Sequence, residues 1–154
     1  MALVARLGRV TNYVDHQLAA FFAEHDLTRA DWDVLASLRR IGPPYRLSPT
    51  VLYRGLMRSS AGMTHRLARL EKRQLIRRID DPDDRRGLLV VLTPRGRRLV
   101  DRLAAGHLDN ERMLLAGLSA AEQDQLTELL RRLLGSLERD LPTPGVRKRS
   151  RQRN

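Results

Sequence analysis

The chain of 154 residues has the length of one globular domain, with 42% hydrophobic and 31% charged residues and a formal net charge of +11 at pH 7. It contains no cysteine, which excludes disulfides, thiolate metal sites, cysteine nucleophiles and sensing by thiol oxidation. No apolar run approaches the roughly 20 residues that span a bilayer, and the first residues do not resemble a secretory signal. We therefore expect a cytoplasmic protein without a membrane partner.

The positive charge is concentrated in two segments. Residues 54–102 carry 14 basic and 6 acidic side chains, and residues 141–154 carry 5 basic side chains and no acidic ones. A basic block of this kind is the electrostatic footprint of a protein that binds a polyanion. A genome that favours arginine would produce the same charge without such a partner, so the choice depends on the order of the predicted elements.

The first part of the chain predicts three helices. Apolar residues recur at spacings of three and four over residues 3–22, which indicates one face of an amphipathic helix. Thr28 is a candidate N-cap for a second helix, which the Gly-Pro-Pro run at 42–44 ends. Ser48 followed by Pro49 predicts the start of a short third helix.

A fourth helix follows almost at once, from Ser60 to Arg73. Its apolar residues Met63, Leu67 and Leu70 form one stripe, which indicates that this side packs against the core. Two short, closely connected helices are the parts of a helix-turn-helix, in which the second helix lies in the major groove of DNA.

The hydrophobic period then changes to that of strands. Residues 75–79 and 88–92 are two short strand-like runs. The charged segment 80–87 between them contains Pro82 and Gly87, which do not suit the interior of a helix or strand. These features predict a β-hairpin with an extended loop at its tip, placed as the wing of a winged helix-turn-helix.

Two further helices and a tail complete the prediction. Thr93-Pro94 marks the start of a long helix, and Ser119 with Glu122 has the capping-box spacing that begins a last one. The prolines and the basic run of residues 141–154 predict a disordered basic tail. The predicted fold class is mainly α with a small β-hairpin wing, a winged helix-turn-helix with N- and C-terminal dimerisation helices.

The polar face of the fourth helix carries the candidate DNA contacts. It presents Thr64, His65, Arg69 and Lys72. The threonine and the histidine can hydrogen-bond base edges, and the two cations suit phosphate or guanine. Ser59 and Ser60, at the start of the helix, complete this predicted set. A solvated amphipathic helix with ordinary surface charges remains the alternative.

The hairpin supplies the second set of candidate contacts. Arg85 and Arg86 at its tip suit a narrow minor groove, which attracts guanidinium groups. Asp84, two residues before Arg86, can orient that side chain by a charge-assisted hydrogen bond. The alternative is a solvated turn whose four aspartates compensate the basic charge.

These residues carry a family resemblance. The segment from Leu27-Thr28 to Thr93-Pro94-Arg95-Gly96 resembles the core of MarR (multiple antibiotic resistance regulator) proteins, and Asp81-Pro82-Asp83-Asp84-Arg85-Arg86-Gly87 resembles the wing of that family. Met63-Thr64-His65-Arg66-Leu67 resembles its recognition helix. Roughly residues 3–139 are covered. Ala68 departs from the family, in which many members carry a polar or acidic residue there, so the preferred bases stay open.

The resemblance implies a domain organisation and a function. Residues 1–140 would form one MarR-type domain, with a DNA-binding lobe at 28–98 and dimerisation helices at 1–27 and 99–140. The implied partners are double-stranded DNA and a second copy of the chain. The implied function is that of a sequence-specific, ligand-responsive, homodimeric repressor on a palindromic operator. No cofactor or metal is implied.

The resemblance also implies a small-molecule effector that binds between the dimer helices and the DNA-binding lobe. Five residues have the polar or aromatic character to line such a site: Tyr13, His16, Trp32, Asp33 and Arg58. The effector is not identified. A core position for the tryptophan, and a plain solvated helix face for the tyrosine and first histidine, are the alternatives.

Two other classes of protein compete with this interpretation. An enzyme is disfavoured because the four histidines have no metal-ligand spacing, and no glycine-rich phosphate loop or paired-carboxylate cleft is visible. A non-specific DNA- or RNA-binding architectural protein would share the basic block and the tail. Such a protein would not need a recognition helix followed by a wing, and RNA recognition usually brings more than the 4% aromatic residues found here.

Overall fold

The structure, a computed structural model, describes residues 2–56 and 60–140, apart from the side chains at positions 60, 61, 85 and 86. The described elements, in chain order, are α1 (Ala2–Ala23), α2 (Arg29–Arg40), β1 (Arg46–Leu47), α3 (Pro49–Gly55), α4 (Ser60–Lys72), β2 (Ile76–Asp81), β3 (Asp84–Leu92), α5 (Pro94–Leu115) and α6 (Ala120–Asp140). The predicted fold class and the predicted order of helices are confirmed. The predicted tail, residues 141–154, lies outside the described residues.

The helices begin where capping side chains satisfy free backbone N–H groups. Thr28 and Asp31 form a reciprocal capping box at α2, in which the threonine Oγ1 accepts from the Asp31 N–H at 3.2 Å and the Asp31 carboxylate accepts from the Thr28 N–H at 2.8 Å. Ser48 caps α3 and Thr93 caps α5, each followed by proline at the first helical position. These local signals confirm the predicted helix starts.

The sheet is larger than the predicted hairpin. Its strand order is β1-β3-β2, with antiparallel pairing throughout. Strand β1, which is two residues long, was not predicted. The prediction of a loop at 80–87 was wrong, because pairing continues until only Pro82 and Asp83 remain as the turn. A register shift at Asp80/Asp81 and the glycine at position 87 make this possible. A Cβ on Gly87 would lie 2.9 Å from that of Asp81.

The core lies where α1, α2 and α5 pack together with α3, α4 and the sheet. Its largest fully buried side chains include those of α2, α3 and α4: Val34, Leu35, Leu38, Leu52, Met63 and Leu70. Leu103 of α5 is 4% exposed and belongs to this core. By contrast, α6 buries none of its residues in the single chain.

A glycine joins the start of α5 to the base of the wing. A Cβ on Gly96 would lie 2.1 Å from the carbonyl oxygen of Leu75, and the same oxygen accepts the backbone N–H of Thr93 at 3.1 Å.

We expect Gly96→Ala to lower the free energy of unfolding by about 3 kcal/mol, because the wing base must move away from α5. Thermal melting measures this loss. Gly8→Ala is the control, since nothing lies within 4 Å of that Cβ, and equal melting temperatures for the two variants would contradict the expectation.

Candidate nucleic-acid interface

The fourth helix, α4, presents one polar face to the outside. Its apolar stripe is buried, with Met63 at 2%, Leu67 at 3% and Leu70 at 0% exposure, as predicted. Thr64 and His65, the two residues that follow Met63, are exposed. This placement leaves the predicted base-reading side chains on the face that a major groove would meet.

A buried carboxylate holds α4 against the start of α2. Asp31 is fully buried and accepts hydrogen bonds on Oδ2 from the backbone and hydroxyl of Thr28, both at 2.8 Å, and from Nη2 of Arg69. Its other oxygen lies 3.6 Å from Nε of Arg66, an ionic contact that is too long for a hydrogen bond. Two cations from α4 therefore converge on one anion of α2. We name Asp31, Arg66 and Arg69 the Asp31 clamp.

The clamp changes the interpretation of Arg69. From the sequence, this residue is expected to be a free cation for phosphate or guanine. The structure pairs its guanidinium with Asp31 while about half of the side chain, 49%, stays exposed. Lys72, the last residue of α4, is exposed and is not part of the clamp.

The far end of α4 is attached to the wing and to the α1–α2 loop. Glu71 accepts from the backbone N–H of Arg78 at 2.9 Å and from its Nε at 2.8 Å. The side-chain hydrogen bond from Arg78 lowers the pKa of Glu71 below its ordinary value. Arg73, the residue after α4, donates to the carbonyl oxygens of His25 and Asp26. Helix and wing are thus fixed to each other, and the end of α4 is fixed to the α1–α2 loop.

The wing ends in a tight turn and not in an extended loop. Asp81 Oδ1 accepts from the backbone N–H of Asp83 at 3.0 Å, which closes the turn. Asp84 is exposed at the start of β3, and residues 85 and 86 continue that strand next to the turn. The predicted position of these arginines at the tip of a loop was therefore wrong. Their side chains, like those of Ser59 and Ser60, lie outside what the structure describes.

The proposed effector residues fall in different environments. Tyr13 is 70% exposed on α1 and His16 is exposed on the same helix, whereas Asp33 is half-buried. Trp32 is 7% exposed, and its ring stacks on that of Phe22 with 5.1 Å between the ring centroids, so it is part of the core. Arg58 lies outside the described residues. The grouping of these five side chains into one effector site stays a prediction.

The described part of the chain contains neither a metal-binding cluster nor a membrane-spanning helix. Among residues 2–56 and 60–140, no group of three or more histidine, aspartate or glutamate side chains is placed to hold a metal ion. Within the same ranges no helix has the length and hydropathy needed to cross a bilayer.

Sequence reasoning missed the long-range contacts of this interface. The Thr28 and Asp31 spacing signalled a helix cap, and it did so correctly. Nothing in that local signal indicates a partner 38 residues away, which is the separation of Asp31 from Arg69. The Glu71–Arg78 pair was equally invisible, because its spacing of seven spans a helix end and a strand start.

Known proteins are similar to this chain in sequence and in fold. The sequence model of the MarR family matches residues 25–87. The HTH-type transcriptional regulator PecS of Dickeya dadantii is 36% identical over 141 residues, which cover 92% of this chain and 82% of the relative. A MarR family transcriptional regulator from Streptomyces coelicolor, solved in complex with DNA, superimposes with a TM-score of 0.86 at 27% identity, over 95% of this chain and 93% of that one.

A second solved structure extends the comparison. A mutant MarR from E. coli complexed with operator DNA superimposes with a TM-score of 0.78 at 27% identity, over 87% of this chain and 94% of that one. Sequence and fold agree over nearly the whole chain. The chain therefore belongs to the MarR family of transcriptional regulators and has the winged helix fold of that family.

Proposed function

We propose that this protein is a sequence-specific, homodimeric and ligand-responsive repressor that binds a palindromic operator. The observation that carries the proposal is the Asp31 clamp together with the exposed Thr64 and His65. A helix that must read base edges needs a fixed orientation, and a buried ion pair to a neighbouring helix provides it. Relatives solved with DNA and with operator DNA support the same use of the fold.

The residues have distinct proposed roles. Thr64 and His65 read base edges in the major groove, while Lys72 contacts phosphate. Arg69 orients α4 through Asp31 and reaches phosphate with its exposed half. The serines at the start of α4 bind phosphate as well: Ser59 and Ser60. In the wing, Arg85 and Arg86 enter the adjacent minor groove, with Asp84 orienting the latter.

The dimer is proposed from the unpartnered apolar face of α6. Six leucines on this helix are 37–59% exposed: Leu126, Leu129, Leu130, Leu133, Leu134 and Leu137. Apolar residues of α1 and α5 are exposed as well, among them Val10 at 58% and Met113 at 66%. A contiguous apolar surface of this kind needs a partner. A second copy, joined through the terminal helices, would present two recognition helices to two half-sites of one operator.

The effector is proposed to bind near the junction of α1, α2 and α5. The rings of Trp32 on α2 and His107 on α5 form an edge-to-face contact, with 5.0 Å between their centroids. The core beneath this junction therefore links α5 to α2. Tyr13, His16, Asp33 and Arg58 are the proposed contacts, and Trp32 supports them from the core. A ligand that favours one arrangement of this junction would change the affinity for DNA. By reciprocity, DNA would change the affinity for that ligand by the same factor.

Base reading is tested by a double substitution on α4. We expect Thr64→Ala/His65→Ala to weaken operator binding by about 30-fold or more, because two base contacts are lost and each is worth roughly 1 kcal/mol or more. Affinity for a scrambled duplex should stay unchanged. Fluorescence anisotropy at fixed salt measures both affinities. Thr127→Ala, on α6, is the control. An equal loss on operator and scrambled DNA would show that these side chains do not read sequence.

A further inference from the structure

A basic cleft lies outside the proposed DNA-reading face. It has a volume of about 750 Å³ and opens between the α1–α2 loop, the end of α4 and the first turns of α5. Four arginines line it, together with a histidine, an aspartate and two leucines: Arg73, Arg95, Arg98, Arg102, His25, Asp26, Leu75 and Leu99. Its size falls in the range of small-molecule sites.

The arginines of α5 lack anionic partners in the described chain. Arg95, Arg98 and Arg102 follow one stripe of the helix, and none of them forms an ion pair with any residue of 2–56 or 60–140 whose side chain is described. The nearby carboxylate of Asp101 is paired with Arg39 at 2.7 Å. Like charges at these helical spacings destabilise a helix, and cations in its first turns oppose the helix dipole. The stripe is therefore an arrangement that a bound anion would stabilise.

The fourth arginine closes the cleft from the side of α4. Arg73 donates to the backbone carbonyl oxygens of His25 and Asp26, and these hydrogen bonds hold its guanidinium in place beside the α1–α2 loop. Four arginines against one aspartate leave an excess of three positive charges on the lining. Leu75 and Leu99 add an apolar wall. One fixed guanidinium, three further arginines and an apolar wall suit an organic anion with two or more negative charges.

The position of the cleft favours a small ligand over the DNA backbone. Thr64 and Arg73 are nine residues apart, so the cleft lies about 13 Å along the helix axis from the base-reading positions. It lies at the base of the wing, beside Leu75, while the turn at Pro82-Asp83 is at the other end of β2. It also differs from the proposed effector residues of α1 and α2.

We propose that this cleft is a binding site for a small molecule that carries at least two negative charges on phosphate or carboxylate groups. Arg98 and Arg102 are the primary ligands, because they project from adjacent turns of α5 and have no competing carboxylate in the described chain. Arg95 adds charge at the edge of the cleft, and Arg73 fixes its inner wall. The site does not depend on operator recognition, since none of these residues is assigned to DNA reading.

Calorimetric titration of the full chain without DNA tests the proposal. Inorganic pyrophosphate and citrate are the probes, at low chloride concentration, with acetate as the singly charged reference. We expect one saturable site per chain for at least one probe and none for acetate. We expect Arg98→Gln/Arg102→Gln to weaken that binding at least tenfold. Arg6→Gln/Arg9→Gln is the matched control, because it removes the same charge from exposed positions of α1 and should change the affinity less than twofold.

The outcomes separate the sources of the anion and the competing explanations. Tighter binding of pyrophosphate assigns a phosphate ligand, and tighter binding of citrate assigns a polycarboxylate. Equal weakening by both arginine pairs, or no saturation below about 1 mM, would overturn the proposal and leave only diffuse attraction. A lower salt dependence of DNA binding in Arg98→Gln/Arg102→Gln, with unchanged probe binding, would instead assign these arginines to the DNA backbone and also overturn it.

Discussion

Replacing Asp31 with alanine is expected to lower the free energy of unfolding by about 3–5 kcal/mol. The carboxylate is fully buried, and its removal leaves Arg66, 18% exposed, without its anion. It also removes the reciprocal cap that begins α2, which is worth a further 0.5–2 kcal/mol or so. The melting temperature should fall by on the order of 10 °C.

Asp101→Ala is the matched control for this loss. It also removes a carboxylate from an ion pair, but its pair with Arg39 is 39–49% exposed, so the expected loss is under about 1 kcal/mol. Both variants are melted at one protein concentration, because the proposed dimerisation would make the melting temperature depend on concentration. Similar losses in the two variants would mean that the buried clamp contributes no more than a surface pair.

Replacing Leu133 with aspartate is expected to convert the proposed dimer into monomers. Leu133 lies in the middle of the exposed apolar face of α6, and a charge there would be buried twice in a symmetric interface. Operator affinity should fall by about 100-fold or more, because two half-sites can no longer be bound by one molecule. The single chain buries no residue of α6, so the lobe should keep its fold.

Light scattering coupled to size exclusion measures this change directly. The mass of the variant should be that of one 17.6 kDa chain, and its helical circular dichroism should persist. Gln125→Asp, which places the same charge on a more polar side of α6, should remain dimeric. A variant at Leu133 that still elutes with twice the chain mass would show that α6 does not form the interface.

Local signals account for what was predictable from the sequence. Thr28, Ser48 and Thr93 act as caps through hydrogen bonds within three residues, so their effect is visible in the sequence. The buried stripe of α4 was predictable for the same reason, since a helical period is a local property. The leucines of α6 recur at helical spacings in the sequence, but that spacing alone would fit a monomeric core and a dimer interface equally well.

The features that were missed depend on contacts distant in the chain. Strand β1 has only two residues and exists because Arg46 and Leu47 pair with Val91 and Val90. Pairing in the wing continues towards Pro82 because a glycine at position 87 allows a close cross-strand approach, which no hydrophobic pattern reports. The Asp31 clamp joins residues 35 to 38 positions apart, and its ion pairs follow from the packing of α4 on α2.

Sequence-specific binding to DNA is the central claim, and one titration tests it most directly. The purified protein is titrated by fluorescence anisotropy against the duplex upstream of its own gene and against a scrambled duplex, over a series of salt concentrations. We expect a preference of about tenfold or more for the native duplex that persists as salt rises, since base contacts do not depend on counterion release. Equal binding to both duplexes that disappears with salt would contradict the claim and identify a non-specific architectural protein.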